Sequence, residues 1–274
     1  MKTPRHHFLD TKLDKAGIRE IYRRLAAGYD RWGDLTESRA RKRCLELAAI
    51  RNGESVLEVA VGTGVLFEQI LRINPDGRNE GVDLTQEMLE RARARAEKTG
   101  AGHYALKVGD AYALEYADAS FDVVLNNYMF DLIPEKDFPL VLGEFKRVLR
   151  PGGRLVLANM TRGGVLFRCL WEGLYRINPA WLGGCRPVSL APYLEAAGFT
   201  GVRREYIRQW LFPSEVLYAR KPRAGVNPGG HGDLWGKSGS SDMDRNCARP
   251  DAKPARRTRG IHKNPRRAWR PGQR

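Results

Sequence analysis

The stretch "SVLEVAVGTGVLFEQIL", Ser55 to Leu71, decides the fold. An apolar run ends at Gly62-Thr63-Gly64 and gives way to apolar residues spaced three and four apart. That order reads as a strand, a glycine turn and an amphipathic helix. Units of this kind build parallel sheets, and nucleotide-like cofactors sit where the turn opens into the helix.

Working outward, strand-like and helix-like segments alternate. Helices are expected at 13–28 and 36–50, the second with Thr36 as N-cap and Arg39 in place of the Glu or Gln of a capping box. Strands are expected at Ser55–Ala60, Glu80–Asp83, His103–Val108, Phe121–Asn126 and Arg154–Met160. Between them fall helices at Gly64–Ile73, Thr85–Lys98 and Asp137–Leu149, the last stopped by "RPGGR". This alternation predicts an α/β fold with a parallel sheet covered on both faces. The ending differs. After a helix at Leu190–Ala197, two strands at Val202–Gln209 and Glu215–Arg220 are joined by "WLFP" with no helix between, which predicts an antiparallel hairpin.

Composition sets the class. The 274 residues are 42% hydrophobic, and no apolar run reaches the length of a membrane-spanning helix. The N-terminus lacks the apolar segment of a signal peptide, so a cytoplasmic protein is expected, with room for peripheral membrane contact. Cys44, Cys169, Cys185 and Cys247 form no C-x-x-C pair, and the five histidines are scattered; no metal is expected. Twelve Lys or Arg against four Asp or Glu fall between Ala224 and Arg274, so this segment carries +8 of the +15 total. It is dense in Gly, Pro, Ser and Arg and is expected to be disordered. The reading divides the chain into 1–50, a core at 51–222 with an insertion at 161–188, and a basic tail at 223–274.

The glycine turn poses a choice of cofactor. For a dinucleotide, the third glycine of G-x-G-x-x-G is missing, and Phe67 stands there. Glu58, four residues before Gly62, would repel a pyrophosphate at the helix N-terminus and attract a ligand with a positive group. S-adenosylmethionine carries an ammonium and a sulfonium and no phosphate, so the charge favours it. Asp83, ending the next strand in "GVDLTQEML", can accept both hydroxyls of a ribose or cap the following helix. Asp110, in "VGDAYAL", can accept from an adenine amino group or simply hold a turn. The strand in "FDVVLNNYMFDLIP" ends in polar residues beside the glycine turn, at the carboxyl edge of the sheet.

The series "VLEVAVGTG", "GVDLTQEMLERAR", "VGDAYAL", "FDVVLNNYMFDLIP" and "EFKRVLRPGGRLVLANM" resembles the class I S-adenosylmethionine-dependent methyltransferases, from about Tyr22 to Lys221. Within them it looks most like the branch containing the quinone-ring C-methyltransferases of menaquinone and ubiquinone synthesis. The resemblance implies a Rossmann-like seven-stranded sheet with an antiparallel C-terminal hairpin and N-terminal helices capping the cofactor site. It implies that Glu58, Gly62, Thr63 and Gly64 line the methionine end of S-adenosylmethionine. Asp83 would bind the ribose, Leu84 and Met88 flank the adenine, Asp110 and Ala111 contact its edge, and Asn126 lie near the methionine moiety. Tyr29 in "AAGYDRWG" matches an element that closes over the cofactor. Three departures stand out: Ala60 replaces a glycine, "YDRWGDLTESRARKR" does not match the family's stretch of Met-Asn followed by a later His and Trp, and "LANMTRGG" lacks a Glu after the fifth strand.

Methyl transfer from a sulfonium needs no acid at the leaving group, so alignment and exclusion of water supply much of the rate. A carbon or hydroxyl acceptor gains from a base, for which Asp131, Tyr128, Tyr22 and Tyr29 are candidates. For Asp131 a helix cap or a surface carboxylate is the plainer reading. The insertion, with Phe167, Trp171, Tyr175 and Trp181, reads either as a lid over a small or lipophilic acceptor, such as a quinone-ring precursor or lipid, or as a helix packed on the sheet. The basic tail raises a rival, an RNA-associated methyltransferase or a nucleic-acid-binding protein, with weak contact to nucleic acid or acidic membranes through the tail. Against base methylation, "NNYM" lacks the prolines of the N/D-P-P-Y motif, and no Pro-Cys or Thr-Cys nucleophile is present.

Overall fold

The computed structural model describes Gly17, Gly33 and residues 35–177, 184–210 and 212–223. The expected helix over 13–28 apart from Gly17, with Tyr22, Tyr29, Trp181 and the basic tail, lies outside the described residues. The chain divides into a unit of 1–230, which holds every described residue, and a second of 231–274.

Five strands, β1 (Ser55–Val59), β2 (Arg78–Asp83), β3 (Tyr104–Val108), β4 (Phe121–Asn127) and β5 (Leu149–Met160), run parallel. β6 (Thr200–Gln209) and β7 (Phe212–Arg220) form the hairpin, and β7 pairs antiparallel with β5. The order across the sheet is β3-β2-β1-β4-β5-β7-β6, the seven-stranded arrangement expected. Helices α1 (Ser38–Ala48), α2 (Val65–Ile73), α3 (Gln86–Glu97), α4 (Phe138–Val148), α5 (Val165–Ile177) and α6 (Ala191–Ala196), with a 3-10 turn at Glu135–Asp137, flank the sheet.

Each helix buries a stripe that its sequence spacing dictates. In α2 it is Leu66, Phe67, Ile70 and Leu71; in α4 it is Phe138, Val141, Leu142, Phe145 and Val148. The strands alternate between two cores. Leu57, Val124, Leu155 and Leu217 face a layer containing α4 and Leu194 of α6. Val56, Val123, Val156 and Val216 face one built from α1, α2, α3 and Trp171 of α5.

Three local expectations are corrected. Thr36 is not the N-cap: α1 starts at Ser38 with Glu37 in the cap position, and the Glu37 carboxylate pairs with Arg41 instead. "RPGGR" does not separate α4 from a later strand. β5 begins at Leu149 and runs through these residues, because the Gly152 amide donates to Lys221 O at 2.9 Å and the Lys221 amide to Gly153 O at 3.0 Å. The hairpin turn is also tighter than "WLFP", since Gln209 pairs with Phe212 and only Trp210 and Leu211 lie between the strands.

Candidate functional site

The carboxyl ends of β1 to β4 meet in two adjoining cavities. The larger, about 880 Å³ of free space including its open mouth, is walled by residues that follow each strand, among them Gly62, Asp83, Asp110 and Tyr128. The smaller, about 440 Å³, opens beside Glu58, Thr63, the α1 cap residue Glu37 and Arg41 of α1. Ala60, Gly62, Asn127 and Tyr128 line both, so the two form one cleft with a shared wall.

Asp83 organises the larger cavity. Its Oδ2 accepts the Gly62 amide at 2.8 Å, and its Oδ1 accepts the Thr85 amide at 3.0 Å and the Thr85 hydroxyl at 2.9 Å. Its carbonyl accepts the Gly109 amide at 2.9 Å. One residue thus ties together the loops after β1, β2 and β3. Burial pushes the carboxyl up, and the amide and hydroxyl donors pull it back. Thr85, not Asp83, takes the N-cap position of α3. Asp110 accepts the Tyr112 amide at 3.0 Å, and Leu84, Met88 and Ala111 complete the wall beside it.

Glu58 is 2% exposed, and its Oε2 has no hydrogen-bond partner. Burial raises its pKa well above the ordinary carboxylate value, the charge of Asp83 adds to this, and Arg41 opposes it. A buried, unpartnered carboxylate oxygen at a cavity costs free energy unless a donor arrives. Gly62 has φ +54°, and a Cβ there would meet nothing within 4 Å; with a side chain at that position, the free space of the cleft would shrink. An acceptor-rich rim with an orphan carboxylate at one end suits a ligand that brings an ammonium and ribose hydroxyls, and the residues fit S-adenosylmethionine.

Gly64 has another role. It lines neither cavity, and a Cβ there would lie 2.7 Å from Ala92 Cα, so its absence lets α2 approach α3. The missing third glycine is also explained. Phe67 is buried, and Gly81 leaves room for its ring, which also meets Tyr104 edge-on at 6.1 Å.

Two residues turn away from the cleft. Asn126 is fully buried and donates to Val59 O at 2.8 Å, bracing the wall from behind, while Asn127 lines both cavities. Adjacent strand residues face opposite sides, so the shift of one position decides which asparagine is at the site. Asp131, the candidate base, lies fully buried and lines neither cavity. Burial pushes its pKa up to about 7, against the pull of its own amide and of Arg186. Tyr128 does line the cleft, but its hydroxyl is 2.8 Å from Ser214 Oγ, and burial raises its pKa well above the ordinary phenol value. Among the described side chains of α5 none lines either cavity; Trp171 packs edge-on to Phe212 at 5.8 Å and Tyr175 is buried. Trp171 and Tyr175 thus pack inward on the sheet side.

Residues 56–153 match the model of a family described as a methyltransferase domain. The chain is 32% identical to the demethylmenaquinone methyltransferase of Lactococcus lactis over 67% of this chain and 74% of that one. The chain belongs to the class I S-adenosylmethionine-dependent methyltransferases. This methyltransferase is also 31% identical to the arsenite methyltransferase of Halobacterium salinarum, over 64% of its own length and 48% of the relative's, so it spans about half of that protein. Among solved structures, a chain of the complex between the Haloferax volcanii Trm112 methyltransferase activator and its methyltransferase superposes with a TM-score of 0.62 at 21% identity, covering 77% of this chain and 100% of that one. The methyltransferase therefore uses S-adenosylmethionine as its methyl donor.

Sequence reasoning missed Arg41, Glu37, Gly109 and Tyr112 as residues of the cleft. Only Arg41 carried a usable signal: a basic residue on the apolar stripe of α1, between Ala40 and Cys44.

Proposed function

We propose that this methyltransferase acts on a small lipophilic acceptor, a quinone-ring precursor or a lipid-like molecule. The single observation that carries the reading is the apolar part of the larger cavity's wall, to which Met129, Leu132 and Ile133 contribute. Pockets of this make-up favour flat or greasy ligands oriented by a few polar groups. The demethylmenaquinone methyltransferase relative supports the same class of acceptor.

Within the cleft, Glu58 would hold the ammonium of S-adenosylmethionine and Arg41 its carboxylate. Asp83 would accept from the ribose hydroxyls and Asp110 from the adenine amino group. Leu84, Met88 and Ala111 would pack against the base. The α1 residues make the N-terminal region part of the cofactor site. When bound, the cofactor supplies an electrophilic methyl on a sulfonium. The protein's part is alignment and exclusion of water. Among the described residues that line the larger cavity, Asp83 and Asp110 have carboxylate oxygens occupied by loop amides, and Tyr112 donates its hydroxyl to Asp137 at 3.0 Å. An acceptor that reacts as an already ionised hydroxyl or an electron-rich ring carbon needs no further base from them.

The test is transfer of a radiolabelled methyl to fractionated extracts. Label in the quinone and lipid fraction supports the reading. Label confined to RNA would overturn it in favour of the nucleic-acid alternative.

A further inference from the structure

The turn between β6 and β7 lies at the same edge of the sheet as the cleft, because Ser214 pairs with Met160 at the carboxyl end of β5. At its tip stands Trp210, 74% exposed. Its φ is +54°, in the left-handed region that side chains as large as indole rarely adopt. A glycine or asparagine would fill this turn position with less strain, so the turn gains nothing structural from tryptophan.

Trp210 is not isolated. The Gln209 side chain beside it donates to Leu35 O at 2.7 Å and accepts the Arg39 amide at 2.8 Å, which brings 47%-exposed Leu35 to the same place. On the other side, Phe212 meets Trp171 of α5, and the outer face of α5 carries Leu170 and Ile177, 61% and 71% exposed. These two are seven residues apart and share one helix face. Hence α5 is apolar on both sides: Trp171 and Tyr175 pack inward while Leu170 and Ile177 point to solvent.

Among the described residues, the exposed charges in these segments are mostly positive. Arg39, Arg162, Arg176 and Arg208 are exposed in these segments, and the one acid of α5, Glu172, pairs with Arg176 at 3.4 Å. Exposed indole and aliphatic side chains flanked by guanidinium groups match a surface that is apolar beneath and anionic at its boundary.

We infer that Trp210, Leu35 and the outer face of α5 dock on an anionic lipid surface, holding the mouth of the cleft against the membrane. The surface is coupled to the site. Tyr128, which lines both cavities, sits 6.1 Å ring to ring from Phe212 and 2.8 Å from Ser214, on either side of Pro213 just past the turn. The inference concerns the body of the protein and does not involve the basic tail. It stands whether or not the acceptor is a quinone.

The experiment is sedimentation of the full chain with vesicles of phosphatidylcholine alone or mixed with phosphatidylglycerol, at low and high salt. The wild type is expected to partition onto the anionic vesicles and to leave them as salt rises. Trp210→Ala with Leu170→Ser is expected to lower that partitioning at least about tenfold, and Arg39→Ala with Arg208→Ala about fivefold per charge. Unchanged S-adenosylhomocysteine binding by each variant shows that it is folded. Equal partitioning of variant and wild type assigns binding to the tail and overturns the inference, as does no partitioning at all. A wild-type dimer that the Trp210 variant dissociates also overturns it, because a second copy would then cover the surface.

Discussion

The Gly62 amide donates to Asp83 Oδ2 at 2.8 Å, joining the glycine turn after β1 to the end of β2. The same carboxylate holds Thr85 through its other oxygen. Asp83 is therefore both a wall of the cleft and the tie that shapes it. Asp83→Ala is expected to weaken S-adenosylmethionine binding at least a hundredfold and to lower stability by about 2–3 kcal/mol, since three donors lose their acceptor. Calorimetric titration with urea unfolding of the same sample checks both.

Glu58 is expected to hold a proton in the empty protein and lose it when an ammonium arrives, because burial raises its pKa in the empty site. Cofactor binding then releases a proton, and affinity rises with pH until the empty site ionises unaided. Titration in buffers of different ionisation enthalpy reads the proton directly. Glu58→Gln is expected to abolish the release and weaken binding by about 1.5–3 kcal/mol, the range for a hydrogen bond to a charged group.

Gly62 and Gly64 are two residues apart and predict different failures. Gly64→Ala places a Cβ 2.7 Å from the Ala92 backbone, so the whole protein is expected to lose about 1–3 kcal/mol through overpacking. Gly62→Ala meets nothing within 4 Å. It costs about 1–2 kcal/mol for its left-handed backbone and mainly reduces cofactor affinity. Melting and titration of the two variants separate the effects.

Asp131 predicts the pH dependence of stability. Its folded pKa is raised from 3.8 to about 7, so the folded state binds more protons than the unfolded chain between these values. Its contribution is fully present below about pH 4 and lost as pH rises through 7. Asp131→Asn is expected to flatten the decline in unfolding free energy between pH 4 and 7 without changing the kinetics of methyl transfer. An unchanged slope in the variant counts against this assignment.

The alternation of strands and helices was legible because each element carries a strong period, and the sheet order follows from the parallel connections and the final hairpin. Gly62, Thr63, Glu58, Asp83 and Asp110 were legible because they sit where strands end, and each lines the cleft, whereas Gly64 packs α2 on α3. Asn126 and Asn127 were not separable. "FDVVLNN" is buried on both faces, so hydrophobicity carries no parity to say which asparagine faces the cavity. Asp131 and Arg41 reach their surroundings through tertiary packing, the first beneath Arg186 and the second from α1 across to Glu58. Spacing along the chain encodes neither contact. Phe67 broke a local glycine pattern, and the compensating Gly81 lies on a different strand.

The most direct measurement is calorimetric titration of the purified chain with S-adenosylmethionine, S-adenosylhomocysteine and NAD, with Asp83→Ala as control. The charge at Glu58 and the fit of the cleft predict micromolar binding of the first two, lost in the variant, and none of NAD. Binding of NAD, or failure of a folded sample to bind either adenosyl ligand, would contradict the account.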